Sequence, residues 1–354
     1  MRIEVPPTLT ALYTIGYQTP DISGGWGNWA SAGPSAKCRH DPDRLLPNGE
    51  RDIASVCTPV IGPYDSADPA LCEYHILLAL ASGLDAFVVS WNGGGRIADT
   101  LRLWFTTAEK LHFKLAFHFR TADDLNKAGE FFQSAAYLHF NHKPVAVCPV
   151  GVEFPGFQGL TVREIQDHVQ SPEPTDSLIP APPNVTESGE VEKEFWDRVE
   201  SADQRGNLGF VSALVHPGFD DRACQDAPKV VSRRQGETYA AAWEAALRHD
   251  ARLAVVRSWN HHSEGSAIEP VKENVLHKQA ALPGWGYREL LATREYAARF
   301  KREKLWPLPA LFLPERLYHL RKSDAPYTRG DRVRLYLLEG DYASATLALE
   351  QAGV

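Results

Sequence analysis

An α/β chain folded as a (β/α)8 TIM-type barrel, with long loops and a short helical tail, is indicated by three observations. Near-continuous apolar runs of strand length recur over residues 8–300, helical segments alternate with them, and 354 residues exceed the roughly 250 that such a barrel needs. A strand that is apolar throughout, without polar alternation, suits a parallel sheet covered on both faces.

The first strand is TLTALYTIG at 8–16, β-branched and closed by Gly16. A loop rich in Gly, Trp and Pro follows. Asp68 offers a helix cap, Pro69 suits the first helical position, and the apolar helix stops at Gly83. LDAFVVSW at 84–91 is the next strand. Leu101, Trp104, Phe105, Ala108 and Leu111 then repeat at helical spacing before KLAFHF at 114–119. PVAVCPVG at 144–151, LGFVSALV at 208–215 and RLAVVRSW at 252–259 continue the alternation, the last preceded by a helix carrying Tyr239, Ala242, Trp243 and Ala246. Residues 171–190, with Pro172, Pro174, Pro180, Pro182 and Pro183, predict an irregular surface loop, and no segment identifies a fifth strand. A helix at 287–300 completes a barrel unit of residues 1–305; helical patterning at 315–322 and 340–351 makes 306–354 an appendage packed on it.

A net charge of -8 argues against nucleic acid and anionic membrane as partners, since both bind clustered Lys and Arg. Nine Trp and twelve Tyr supply flat faces of the kind that hold sugar rings, or simply fill a core. The five cysteines, Cys38, Cys57, Cys72, Cys148 and Cys224, are odd in number and widely spaced, so reduced thiols are expected. The N-terminus lacks a basic-then-apolar leader, and no run reaches the roughly 18 apolar residues of a membrane span. The expectation is a cytoplasmic chain, or a periplasmic or secreted one if a leader has been trimmed. Oligomeric state is not legible.

In a parallel barrel the strands' C-terminal ends converge, so polar residues just beyond them become neighbours. The shortlist is Tyr64 and Asp65, Trp91 and Asn92, His118 and Arg120, His216 with Asp220 and Asp221, and Asn260 to Glu269. Glycosidic cleavage needs one group to protonate the departing oxygen and a second to act as base or nucleophile. Within SWNHHSEGSAIEP, Glu264 is the candidate acid, His261 and His262 are bases suited to neutral pH, and Glu269 stands behind them. The plainer readings are a surface glutamate and structural histidines. Asp220 and Asp221 suit sugar hydroxyls, or else a helix cap or a salt bridge to Arg222.

These segments, taken in order, resemble glycoside hydrolase family 99. The resemblance is carried by GPYDSADP at 62–69, a helix with His75, SGLDAFVVSWNG at 82–93, AFHF at 116–119, HPGFDDR at 216–222, RRQGETYAAAW at 233–243 and SWNHHSEGSAIEP at 258–270. It implies a (β/α)8 barrel and retaining hydrolysis of α-mannosidic bonds within a glycan. One carboxylate would deprotonate the sugar's 2-hydroxyl, which attacks the anomeric carbon, while a second protonates the leaving group. The family's Asn-Glu-Trp-His-Glu-Gly segment reads Asn260-His261-His262-Ser263-Glu264-Gly265 here, so the second carboxylate is Glu264 and His261 replaces the first. Arg120 stands where the family has Glu, and its fork suits an anionic sugar substituent or a repairing salt bridge.

The resulting expectation is a glycosidase on an α-linked oligosaccharide, mannoside-like or anionic, for polysaccharide degradation, with no cofactor and no metal. The alternative is a catalytically inactive family-99-like protein that binds glycan. A metal site of His118, His216 and His261 would need ligand spacing that is absent, and a glycosyltransferase would need a phosphate-cradling loop where only Asn92 to Gly95 is glycine-rich.

Overall fold

The computed structural model describes residues 2–31, 33, 36–91, 95–165, 176–180, 190–273, 284–323 and 327–354. Eight parallel strands form the barrel: β1 Thr8–Tyr13, β2 Ala86–Ser90, β3 Lys114–His118, β4 Lys143–Pro149, β5 Leu160–Ile165, β6 Ser177–Pro180, β7 Ser212–Val215 and β8 Leu253–Val256. Their order around the sheet is β6-β5-β4-β3-β2-β1-β8-β7. Among the described residues no ladder joins β6 to β7. A hydroxyl pair, Ser177 with Ser212 at 2.7 Å, and two backbone bonds from Gly209 and Phe210 to the Asp176 carbonyl draw that seam together instead.

Side-chain parity sorts the core. Leu12, Ala86, Val88, Ala116, Val145, Val147, Leu160, Val162, Leu214 and Val255 pack together, and the strand period of two turns them all inward. Their neighbours Tyr13, Phe87 and Phe117 face outward beneath the helices. The inward parity, continued past the packed layers, reaches Thr14, Ser90, His118 and Glu164 at the C-terminal ends, where a cavity opens.

The helix Pro69–Ala81 starts where its cap chemistry places it: the Asp68 carboxylate accepts the Ala70 N–H at 2.8 Å, with Pro69 in the first turn. It ends before Gly83, which is left-handed and so close to Ala297 and Leu305 that a Cβ would collide with both. Helices Arg96–Lys110, Ala122–Lys127, Glu190–Gln204, Glu237–Arg248 and Arg288–Lys301 cover other parts of the wall; β4 passes to β5 without one.

Three sequence expectations change. The interval 171–190 contains strand β6 at Ser177–Pro180, and β5 lies before it; residues 171–175 and 181–189 fall outside the described residues. Cys38 and Cys224, 186 residues apart, form a disulfide, while Cys57, Cys72 and Cys148 are buried thiols. Loop closure in three dimensions joins them, and no spacing rule reveals it. The tail holds three helices, Leu313–Lys322, Tyr327–Glu339 and Tyr342–Gln351, where two were expected.

The tail is fastened to the barrel by charge. Glu73, buried within Pro69–Ala81, receives Arg321 at 2.8 and 3.0 Å and Arg334 at 3.1 Å, and Arg321 also reaches Asp331. Removing one partner of a buried ion pair strands the other. Arg321→Met is therefore expected to cost about 3 kcal/mol in urea unfolding, and adding Glu73→Gln to recover part of that loss. A midpoint unmoved by Arg321→Met would show that the contact holds nothing.

Candidate active site

The segment after β8 is pinned from both sides. Trp259 N–H donates to Leu12 O at 2.8 Å, and Ser258 pairs with Ser266 and Ile268 across the loop. Arg233 donates to the carbonyls of Gly265 at 2.9 Å and Ala267 at 2.7 Å, ion-pairs with Glu289, and lies 3.6 Å over the Trp285 ring. Gly265 takes a left-handed turn, and a Cβ there would meet Asp220 O at 2.8 Å. The tight turn this permits, His262–Glu264, lifts His261 and Glu264 into the cavity.

That cavity, about 670 Å³, occupies the C-terminal face of the barrel. His118, Arg120, Asp221, His261 and Glu264, all singled out in the sequence, line it. Glu164, Lys229 and Arg257 line it as well, and sequence reasoning missed them. Glu164 was missed because β5 was not found; the alternation Leu160, Val162, Glu164 was the available signal. Arg257 ends an apolar strand and reads there as a boundary residue.

Glu264 accepts from Arg257 at 2.5 Å and faces His261 Nδ1 at 3.2 Å. Burial would raise its carboxyl, but the imidazole and the guanidinium overcome that and hold it well below the usual carboxylate range. Glu264 is therefore ionised across the neutral range. Glu164 lies 3.0 Å from His118 Nε2; burial would raise its carboxyl, but the hydrogen bond and charge of His118, with the charges of Arg257 and Arg120, together lower it. Asp221 behaves oppositely: burial raises it, the Lys229 N–H lowers it, and the negative charges of Glu264 and Asp220 raise it further. Arg120 is exposed and, among the described residues, has no hydrogen-bond or ion-pair partner, so the repairing salt bridge does not form.

The remaining shortlisted residues lie elsewhere. Tyr64, Asn260, His262 and Glu269 are buried, and none of them lines the cavity. Glu269 accepts from Tyr64 OH at 2.9 Å and lies 3.0 Å from His262 Nε2 and 3.5 Å from His75 Nε2; Asn260 donates to Tyr64 OH and brackets Thr14 through N–H and carbonyl. Asp65, also buried, accepts the Thr19 and Ala67 N–H groups. Trp91 is core, packed on Phe117 at 4.9 Å. Asp220 is claimed by Arg222 through paired hydrogen bonds, the salt-bridge reading of that pair. His216 is off the cavity, and burial with the nearby charges of Arg257 and Arg233 pushes it down to about 4, leaving it neutral. Asn92 falls outside the described residues. Among the described residues no group of three or more His, Cys, Asp and Glu could hold a metal, so the three-histidine alternative finds no site there.

No family model matches the chain. It is 21% identical over 367 residues to the mouse glycoprotein endo-alpha-1,2-mannosidase, covering 85% of this chain and 77% of that one. The human glycoprotein endo-alpha-1,2-mannosidase-like protein is also 21% identical, over 359 residues, with 85% and 78% covered. Among solved structures, a family 99 endo-alpha-mannosidase from Bacteroides thetaiotaomicron superposes with a TM-score of 0.68 at 17% identity, over 84% of this chain and 99% of that one. The chain thus has the (β/α)8 barrel fold of that family 99 endo-alpha-mannosidase, and over most of its length its sequence is similar to the two glycoprotein endo-alpha-mannosidases.

Proposed function

We propose that the chain is a glycoside hydrolase acting on an α-linked, mannoside-like glycan. The observation that carries this reading is the His261–Glu264 pair at the cavity on the barrel's C-terminal face, and the endo-α-mannosidase relatives support the reaction class.

The pair has its own chemistry. Glu264 faces Nδ1 of His261, so the ring places an N–H towards that carboxylate and turns Nε2 to the substrate. His261 is then the base for the sugar's 2-hydroxyl, the task that the resemblance gives to a carboxylate. Once protonated, the imidazolium stays paired with Glu264, which offsets its repulsion of the positive charge developing on the sugar. Glu264 is thereby an orienting carboxylate rather than the acid expected from the sequence: held by Arg257, it has no proton to give.

The wall also favours a charged substrate. Arg120 and the Lys229 ammonium are free of ion pairs among the described residues, in a cavity of a protein with net charge -8. A glycan carrying a carboxylate, sulfate or phosphate matches them.

The test is product mass on a panel of neutral and anionic α-linked oligosaccharides. Wild type should cleave at least one, Glu264→Gln should lose about 100-fold or more in kcat, and Arg120→Met should weaken anionic substrates more than neutral ones. Silence across the panel with glycan binding intact would favour the inactive binder. Stability carries a separate signature. The folded Glu264 carboxyl lies below its ordinary 4.5, so its contribution is full above that pH and is lost as pH falls through the folded value. Wild type should lose stability below that point more steeply than Glu264→Gln in urea titrations; identical slopes would contradict the ionised assignment.

A further inference from the structure

We propose that the Cys38–Cys224 disulfide is a positioning element of the cavity: it holds the wall against which the glycan lies, and so sets substrate affinity, while other bonds keep the reacting pair in place. The inference rests on the glycosidase reading above and deepens it by naming the part of the chain that carries affinity.

The excursion after β7 supplies Phe219, Asp221, Gln225, Ala227 and Lys229 to the cavity lining, more than any other stretch of the chain gives. Its own backbone holds it poorly. The ladder is two residues long on each side, Phe219–Asp220 against Val230–Val231, and a hairpin that short is not stable by itself. Between the two strands the chain turns on the Asp221 carbonyl, which accepts the Cys224 N–H at 2.8 Å and the Gln225 N–H at 2.9 Å. Cys224 thus sits inside a turn whose ends, Asp221 and Gln225, line the cavity, and whatever fixes its sulfur fixes them.

That fastening comes from the long loop after β1. Cys38 reaches Cys224 across 186 positions of sequence, in a buried cluster of mostly small side chains that includes Ala54, Ala223 and Ala267. Two positions on, His40 Nε2 lies 2.9 Å from the Ala223 carbonyl and its Nδ1 2.8 Å from Asp52. A hydrogen bond opens and closes locally, whereas the covalent bond bounds how far the turn can stray. The reacting pair has separate anchors: the Trp259 N–H on Leu12 O, Arg233 on the Gly265 and Ala267 carbonyls, and Arg257 on Glu264. Cutting the disulfide therefore frees the wall and leaves His261 and Glu264 where they are.

Loss of uniform binding raises KM without lowering kcat, which separates a wall from a reacting group. The experiment takes the panel glycan that wild type cleaves. It compares wild type, the double variant Cys38→Ala with Cys224→Ala, and Cys57→Ala, which trims the same buried cluster but keeps the bond. The double variant should raise KM about 10-fold or more with kcat within about 3-fold of wild type, and Cys57→Ala should change neither. Amide hydrogen exchange should quicken over 219–231 in the double variant and stay unchanged over 258–268. The same readings apply to folded wild type treated with a water-soluble phosphine. This reduces the bond to two thiols, while water gives its oxygen to the phosphine and its hydrogens to the sulfurs. A fall in kcat equal to the rise in KM, an unchanged KM, or the same KM rise in Cys57→Ala overturns the assignment. So does global unfolding of both the double variant and the reduced protein, which makes the bond a staple of the whole fold. Wild type inert on every glycan overturns the glycosidase reading instead, and the exchange comparison then decides whether the bond holds the wall.

Discussion

Beneath the cavity sits a carboxylate that is 2% exposed. Burying a carboxylate is costly unless it is hydrogen-bonded, and Glu269 has Tyr64 and His262 as hydrogen-bond partners, with His75 Nε2 packed 3.5 Å away. Each partner belongs to a different part of the chain: Tyr64 to the long loop after β1, His75 to the helix Pro69–Ala81, and His262 to the turn after β8. Tyr13 backs His75 at 3.0 Å, and Trp29 covers the assembly while donating to Tyr64 O at 2.7 Å. His261 and Glu264 stand on this network, and its rigidity sets where they point. Histidine-rich sequence near Glu269 thus serves two purposes in adjacent residues, one facing the cavity and one facing inward.

Much of the barrel was legible because its strands report their own burial. AFVVS and LAVV carry no polar residue before their ends, and Asp68-Pro69 states where a helix begins. The strands that escaped notice, β5 and β6, are LTVREI and SLIP, one bearing adjacent charges and the other only four residues long beside prolines. β5 is placed by its pairing with β4 and β6 by its pairing with β5, contacts that periodicity does not encode. At the site, the order of the motifs located the right face of the barrel. Which residues face the cavity was not legible, because Asp220 and Asp221, or His261 and His262, differ by a single rotation of the backbone.

The chemistry follows from giving similar groups different neighbours. Three carboxyls share one cavity: Glu264 beside a guanidinium and an imidazole, Glu164 beside an imidazole, and Asp221 beside other carboxylates. The same functional group is thereby shifted below its ordinary pKa in two places and above it in the third. If His261 stands where the resemblance puts a carboxylate, the neighbouring Glu264 supplies the negative charge that an isolated imidazolium would lack.

Arg233 gives the segment after β8 an obligatory companion. Its guanidinium, stacked on Trp285, holds two carbonyls of that segment, although it arrives from the excursion between β7 and β8. The two stretches are therefore a single heritable unit. A chimera that imports one from a relative inherits a shape whose scaffold it has left behind, so this barrel's specificity is exchangeable only in matched pairs of segments.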